Sequence, residues 1–422
     1  MNKTEKRIRE ILKSYYYRFY LIPKDQCKQK MLIRTLRKKG NVSLAFLVSS
    51  LSMWRAQTLY DRLAKDGRFS LRIILFPFFS LSPVQRASSI QQLRDYFSER
   101  SIPFLDLSGE VAPGQALREQ VAPDILFYPQ PYNDLYGNDL DAPFFEDKLL
   151  CYIPYAMLTS SESWAYQCHL NNIAWRLFFQ SELRKDEASA VLYNRGRNIR
   201  VVGESMSDLF SLPAFKAVWK PQEKPKKRVI WAPHFTLSED YFLHRDSFSW
   251  LSGFMLDVAE RYRDTIQFAF KPHPRLLTVL YGRSDWGEER ANHYYARWAD
   301  GANTQLETGS YIDLFKFSDA MIHDSSSFTV EYHFTGKPVL FTAPDLTPVT
   351  RILNDFGKDA VHAHYQAKNT EDILDFLDHV VLGGDDPMKE QRLAFYNKYL
   401  LPPGGKSVAE NIYQDIVTSI WG

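Results

Sequence analysis

A chain of 422 residues is too long for one ordinary core, and 45% hydrophobic with 15% aromatic content can fill two. No low-complexity tract points to disorder, and the net charge of +2 excludes a strongly polyanionic or polycationic protein. The three cysteines, Cys27, Cys151 and Cys168, are scattered, so neither a disulfide framework nor a structural zinc is expected, and a reduced, cytoplasmic protein is.

The charge is unevenly spread. Residues 1–39 carry thirteen Lys and Arg against Glu5, Glu10 and Asp25, a balance of +10 that leaves −8 for the rest. The segment includes "ILKSYYYRFYLI", in which cations alternate with interfacial aromatics on a predicted helix. Two readings compete: a peripheral contact with an anionic membrane surface, or a basic helix docked on its own acidic body. Nucleic acid is not expected, because no nucleic-acid-binding pattern accompanies the basic excess. No apolar run reaches the ~20 residues of a membrane span, and the charged N-terminus lacks the core of a signal peptide.

After Gly40 the pattern alternates strands with helices. "NVSLAFLVSS" reads as a buried strand, "WRAQTLYDRLAKDG" as a helix and "SLRIILFP" as a strand. A helix "SPVQRASSIQQLRDYFSER" follows, then strands "PFLDL", "PDILFYPQPY" and "KLLCYIPYAML". Such spacing implies βαβ crossovers and a parallel sheet. "WKPQEKPKKR", polar and Pro-containing, reads as a linker. A second series starts with the strand "RVIWAPHF", a helix around "FSWLSGFMLDVAERYRD" and the strand "TIQFAFKPHP". It continues through "YIDLFKFSDAMIHDSSSFTVEYHFTGKPVLFTAPD" to the terminal helix "GKSVAENIYQDIVTSIW". The expected architecture is α/β and GT-B-like: two Rossmann-like domains whose parallel sheets face a central cleft, plus a basic N-terminal helical segment. Its boundaries are 1–40 (basic segment), 41–218 (first domain), 219–228 (linker), 229–400 (second domain) and 401–422 (terminal helix). Ligands are expected beyond the carboxyl ends of the strands.

Two strand exits in the second domain carry candidate chemistry. In "FAFKPHPRLL" two prolines bracket His273 and stiffen the turn after a strand. A neutral imidazole there can act as a base and its cation can stabilise a phosphate, with Lys271 and Arg275 adding charge. In "MIHDSSSFTVEY" a strand ends in Asp324, Ser325, Ser326 and Ser327 ahead of a helix. One serine satisfies a helix cap; three hydroxyls at a helix N-terminus point further, to a phosphate site. Glu331, one turn on, either accepts from a ribose hydroxyl or is a surface acid in local pairs.

"FKPHPRL", then "YIDLFKFSDAMIHDSSSFTVEYHFTGKPVLF" and "GKSVAENI" resemble the CDP-glycerol glycerophosphotransferase family, most clearly over roughly 226–345 and 404–415. "NIRVVGESMSDLF" is similar to the family's strand–Gly–x–x–x–x–Asp segment. The resemblance implies a CDP-linked alditol phosphate donor and a glycan or lipid-linked acceptor in bacterial teichoic-acid or capsule synthesis. It also implies that 41–218 is the acceptor domain, 229–400 the donor domain, and membrane attachment peripheral, on the inner face. His273 matches the family's HP histidine, and Ser325 and Ser326 its D-S-S serines.

One departure concerns the first domain. Where the family presents His-Gly-Thr-Pro, whose histidine is the candidate base, this chain reads "CYIPYAMLTS". Tyr155 is expected to line the acceptor side, but an unperturbed phenol is a poor base near neutral pH. His234 in "WAPHF" is the first substitute and His169 the second. No metal and no cofactor are expected beyond the CDP-glycerol-type nucleotide itself. Two alternatives remain open: a GT-B capsule glycosyltransferase using a CMP-sugar (sialic acid or Kdo), and a non-catalytic GT-B-like binding protein.

Overall fold

The computed structural model describes residues 3–77, 82–132, 139–160, 165–213, 218–237, 246–309, 311–325 and 327–422. The chain divides into two compact units. Unit 1 holds Met1–Ala156, Glu162–Leu209 and Leu401–Gly422; unit 2 holds Met157–Ser161 and Phe210–Leu400.

Unit 1 is built on seven strands: β1 (Val42–Val48), β2 (Phe69–Leu75), β3 (Phe104–Asp106), β4 (Ile125–Tyr128), β5 (Leu149–Tyr152), β6 (Arg176–Phe179) and β7 (Ile199–Val201). Their order is β3-β2-β1-β4-β5-β6-β7, and every pair is parallel. Parallel strands covered on both faces need continuous apolar runs, which "VSLAFLV" supplies. The helix Pro83–Glu99 opens with a capping box between Ser82 and Gln85, which fixes where the chain turns back toward β3. The helix expected over "WRAQTLYDRLAKDG" begins later, at Gln57. Trp54 is drawn into the core instead, edge-on to Phe46 and Phe97 at 5.6 and 5.4 Å.

The basic segment forms helix Lys3–Tyr16, a π-helical turn Tyr17–Leu21 and helix Ile22–Lys39. Pro23 explains the widened turn: it has no N–H and its ring crowds the carbonyl four residues back. The second helix docks on unit 1 through Lys28 to Glu146 (3.4 Å), Lys39 to Asp124 (2.7 Å) and Arg37 to the Ile420 carbonyl. The first helix and the π turn leave Ile8, Ile11, Leu12, Tyr15, Tyr16, Phe19 and Tyr20 exposed.

The terminal helix Val408–Trp421 also belongs to unit 1, where Ile412, Ile416 and Ile420 join the core of Phe46 and Phe127. Asp208 accepts from the Val408 and Ala409 amides at 2.8 and 2.7 Å, capping that helix. Gly203 has φ +99° and lies so near Pro402 that a Cβ would stand 2.9 Å from the proline's own. The sequence segments "VVGESMSD" and "GKSVAEN" thus occur together because they touch.

Unit 2 has six strands: β8 (Lys227–Ala232), β9 (Ile266–Phe270), β10 (Thr304–Leu306), β11 (Ala320–His323), β12 (Val339–Thr342) and β13 (Tyr365–Ala367). The order β10-β9-β8-β11-β12-β13 is again wholly parallel. Trp231, Phe270 and Trp298 meet at 5.0–5.3 Å in its core. The stretch Trp219–Arg228 begins tied to this unit: Trp219 donates to the Leu314 carbonyl, and Lys220 bonds to the Gln305 and Gln267 side chains. In each sheet the winding reverses once, between β1 and β4 and between β8 and β11. That reversal is the switch point where a doubly wound sheet opens a crevice.

Candidate functional site in unit 2

Three strand exits converge at the switch point of unit 2. β8 leads to Pro233 and His234, β9 to Lys271, Pro272 and His273, and β11 to Asp324 and Ser325. The Lys271 amide donates to the Trp231 carbonyl and the His273 amide to the Pro233 carbonyl at 3.0 Å, so the β9 exit runs along the β8 exit. The rings of His234 and His273 lie 4.9 Å apart, with Phe235 4.5 Å from His273.

His273 is held at its amide, its carbonyl and its Nδ1. Its carbonyl accepts from Leu276 N–H, and its Nδ1 accepts from Arg275 N–H at 3.1 Å. Burial, then Arg275 and Lys271, push its pKa down to about 4. The ring is therefore neutral near pH 7, and because Nδ1 is an acceptor, the proton sits on Nε2. Neutral His273 thus presents an N–H donor at Nε2.

Lys271 is buried, and its Nζ donates to the Gly309 carbonyl at 2.9 Å. Burial lowers its pKa to about 8, opposed by Glu307, so it remains mainly cationic at neutral pH. Arg275 is exposed and lays its guanidinium 4.4 Å over the Phe235 ring. His234 is 4% exposed, with Nδ1 3.0 Å from the Thr236 hydroxyl. Sequence analysis offers His234 as the substitute base; in the structure its ring lies beside that of His273 rather than on the first unit.

Asp324 is tied to neighbouring backbone. It is 1% exposed, and its oxygens accept from the His234 and Ser247 amides at 2.6 and 3.1 Å. A carboxylate so engaged holds protein backbone; it would repel a diphosphate. Ser325 is buried, its amide donating to His323 Nδ1 and its carbonyl accepting from Thr329. Ser327 is exposed and makes no side-chain cap bond, so capping does not account for it. Ser326 lies outside the described residues. The helix behind these serines is one turn, Phe328–Glu331, continuing as the 3₁₀ turn Tyr332–Thr335. The dipole expected there is that of a single turn, so amides and hydroxyls carry more of any anion binding. Glu331 is 3% exposed, which removes the surface-acid reading.

In unit 1, Tyr155 follows β5, half-buried; its carbonyl accepts from Arg55, and burial raises its phenol pKa. His169 is committed to Tyr17, whose hydroxyl lies 2.7 Å from Nδ1, and burial lowers the imidazole pKa. Among the described residues no cluster of His, Cys, Asp and Glu has metal-site geometry.

Residues 223–418 match the family model described as CDP-Glycerol:Poly(glycerophosphate) glycerophosphotransferase. Over these residues the chain is glycerophosphotransferase-like. No curated protein matches the chain. Among solved structures, the wall teichoic acid polymerase TagF aligns over the whole of both chains at 12% identity and a TM-score of 0.55. UDP-GlcNAc 2-epimerase from Neisseria meningitidis, bound to UDP-GlcNAc, aligns over 90% of this chain and 100% of its own, at 14% identity and TM-score 0.56. A putative UDP-N-acetylglucosamine 2-epimerase from Listeria monocytogenes gives 14%, 90%, 96% and 0.55 in the same terms. At such identities the likeness is one of fold, and the fold is GT-B-like. The glycerophosphotransferase match covers all three strand exits of unit 2. Sequence reasoning found His273, Lys271 and Ser325 there but missed that Asp324 braces the exits. Its amide partners, at His234 and Ser247, are 90 and 77 residues away in the chain.

Proposed function

We propose that the chain transfers an alditol phosphate, glycerol phosphate or a relative, from a CDP-linked donor to a hydroxyl of a glycan or lipid-linked acceptor, in teichoic-acid-like or capsule synthesis. The acceptor oxygen bonds to the β-phosphorus, the bond from that phosphorus to the bridging oxygen breaks, and CMP leaves with the bridging oxygen. The hydroxyl proton passes to solvent or to a base on the acceptor side. Lys271, Arg275, Ser325 and Ser327 bind the diphosphate, and Glu331 accepts from a ribose hydroxyl. His273 donates from Nε2 to the oxygen on which charge develops. Phosphoryl transfer through a loose transition state draws its catalysis chiefly from positioning and charge stabilisation, which suits a fixed neutral donor beside a buried cation. The observation that carries this reading is the position of His273 and Lys271, at the switch point and within the family match.

The basic segment supports a peripheral place on an anionic membrane surface: its second helix is spent on unit 1, while its first presents exposed apolar and aromatic side chains among cations. No described helix is long and apolar enough to cross a membrane.

The test is release of CMP from CDP-glycerol, CDP-ribitol and CMP-sugars, with thermal stabilisation by each and by UDP-sugars. Turnover and stabilisation by a CDP-alditol are expected. Turnover with a CMP-sugar alone would move the reaction to sugar carbon, and a response to UDP-sugars alone would reject a cytidine donor.

A further inference from the structure

We propose that Asp324 is a positioning residue that sets the catalytic geometry of His273 through the exit of β8. This deepens the transferase reading above and rests on it for its kinetic part.

Three successive contacts make the link. Asp324 leaves the end of β11, the strand beside β8. One carboxylate oxygen takes the His234 amide at 2.6 Å, and the other takes the Ser247 amide at 3.1 Å. His234 ends the β8 exit and Ser247 precedes the helix Phe248–Arg261, so one side chain ties both ends of the connection between them. One residue before His234, the Pro233 carbonyl receives the His273 amide at 3.0 Å. The order is therefore β11 carboxylate, β8 exit, β9 exit, and the imidazole is at its end.

The chemistry of each link favours rigidity. A buried carboxylate accepting two amides is a charge-assisted bond pair, stronger than neutral ones and costly to leave half-made. Pro233 has no N–H and a fixed φ, so the β8 exit has little freedom except at His234, where Asp324 grips it. His273 needs such support because its tautomer depends on a short turn: Nδ1 meets the Arg275 amide only while the Lys271–Arg275 backbone keeps its course. A donor displaced by about 1 Å loses on the order of 10²-fold in rate.

The experiment compares wild type, Asp324→Asn, Asp324→Glu, His273→Ala and Asp324→Asn/His273→Ala. It measures kcat, donor KM and Tm, and records ¹⁵N spectra of the histidine rings in the substrate-free protein. Asp324→Asn is expected to lose 10- to 100-fold in kcat with donor KM within about threefold. The same substitution in the His273→Ala background should cost less than twofold, because its route to the reaction is already gone. The His273 ring should lose its pure Nε2–H signature in Asp324→Asn. Should Asp324→Asn fail to fold, Asp324→Glu keeps the charge and shifts it by one methylene; it should fold, lose kcat and show the same spectral change. Losses that multiply in the double variant, or unchanged His273 spectra in a folded Asp324 variant, would overturn the proposal. The spectra need no substrate, so a chain inactive on every donor yet spectrally altered by Asp324→Asn keeps the brace and rejects the transferase reading.

Discussion

The two units share one winding and differ at the one place where that winding opens. At the switch point of unit 1 the exits of β1, β4 and β5 line a small, partly open pocket of ≈ 20 Å³, with Phe46, Trp54, Arg55, Phe127 and Ile153 in its wall. Such a space holds about one water. At the switch point of unit 2 the corresponding exits carry His234, Lys271, His273, Asp324 and Ser325, all but His273 less than 10% exposed. Topology therefore offers the same position twice, and among the described residues the two differ in the residue types at the strand exits. Polar groups crowded into unit 2 must be held by one another, whereas unit 1 uses its exits for packing and its outer surface to seat the N-terminal and C-terminal helices.

The sharpest way to break this contrast is to remove the chemistry from unit 2. His273→Ala should lower kcat about 10³-fold with Tm nearly unchanged, since the ring is partly exposed. His273→Gln, which can still donate an N–H, should recover about tenfold of that loss, as a general base could not. His234→Ala should cost about 10²-fold, less than His273→Ala because it acts through its neighbour. Equal kcat for His273→Ala and wild type would remove the site from unit 2.

Much of this contrast is legible in the amino-acid sequence. The apolar runs of β1, β2, β8, β9 and β11 announce parallel strands, and the proline bracket marks His273. Edge strands are harder to see. "TQL" (β10) and "YQA" (β13) are three residues long and half polar, because Gln305 uses its side chain to fasten Lys220 rather than to fill a core. "RLFF" (β6) is too short to separate from a helix by periodicity. The roles of His234 and Asp324 are hidden for a different reason. Burial and amide partners come from strands distant in sequence, and no local pattern distinguishes a braced carboxylate from a ligand.

A second contrast lies in how buried groups answer acid. Unit 2 buries His333 and His364 with their Nε2 atoms 3.0 Å apart, His333 also meeting the Ala360 carbonyl; His323 and Arg392 are their charged or titratable neighbours. Burial holds His333 at about 3 and His364 well below its ordinary value. A histidine with a depressed folded pKa stabilises fully above the unfolded pKa of about 6.5 and loses that contribution as pH falls below it. Between pH 6.5 and 5 His333 should cost unit 2 about 2 kcal/mol, and His364 adds a loss of the same sign. Hydrogen exchange should show the amides of 328–335 losing protection at pH 5 relative to pH 7.5, more than those of β1. Equal loss in both units would contradict the contrast.

A smaller effect tests the charge at the unit 2 exit. Lys271, with a pKa of about 8, gives up its charge as pH rises through that value. Donor kcat/KM, which reports the free enzyme, should fall about tenfold between pH 7.5 and 9.5. In Lys271→Met it should be low throughout and flat over this range; a fall of the same size in that variant would assign the titration elsewhere.

The smallest effect belongs to unit 1 and has the opposite sign to that of the histidines. Asp25, in the docked second helix, is 5% exposed, and neither carboxylate oxygen has a hydrogen-bond partner among the described residues; Lys28 Nζ is 3.9 Å away. Burial first, and then Glu146, raise its pKa to about 6 against the pull of Lys28 and Lys24. A carboxyl with a raised folded pKa burdens the fold while it is charged, above about pH 6, and the burden is relieved as pH falls toward the unfolded value. Asp25→Asn should therefore raise the Tm of unit 1 by about 2–4 °C at pH 8 and leave it unchanged near pH 4. A gain that persists at pH 4 would mean that the asparagine helps by new bonds. A loss at pH 8 would mean that the carboxylate, with Lys28 and Glu146, forms a network the helix needs for docking.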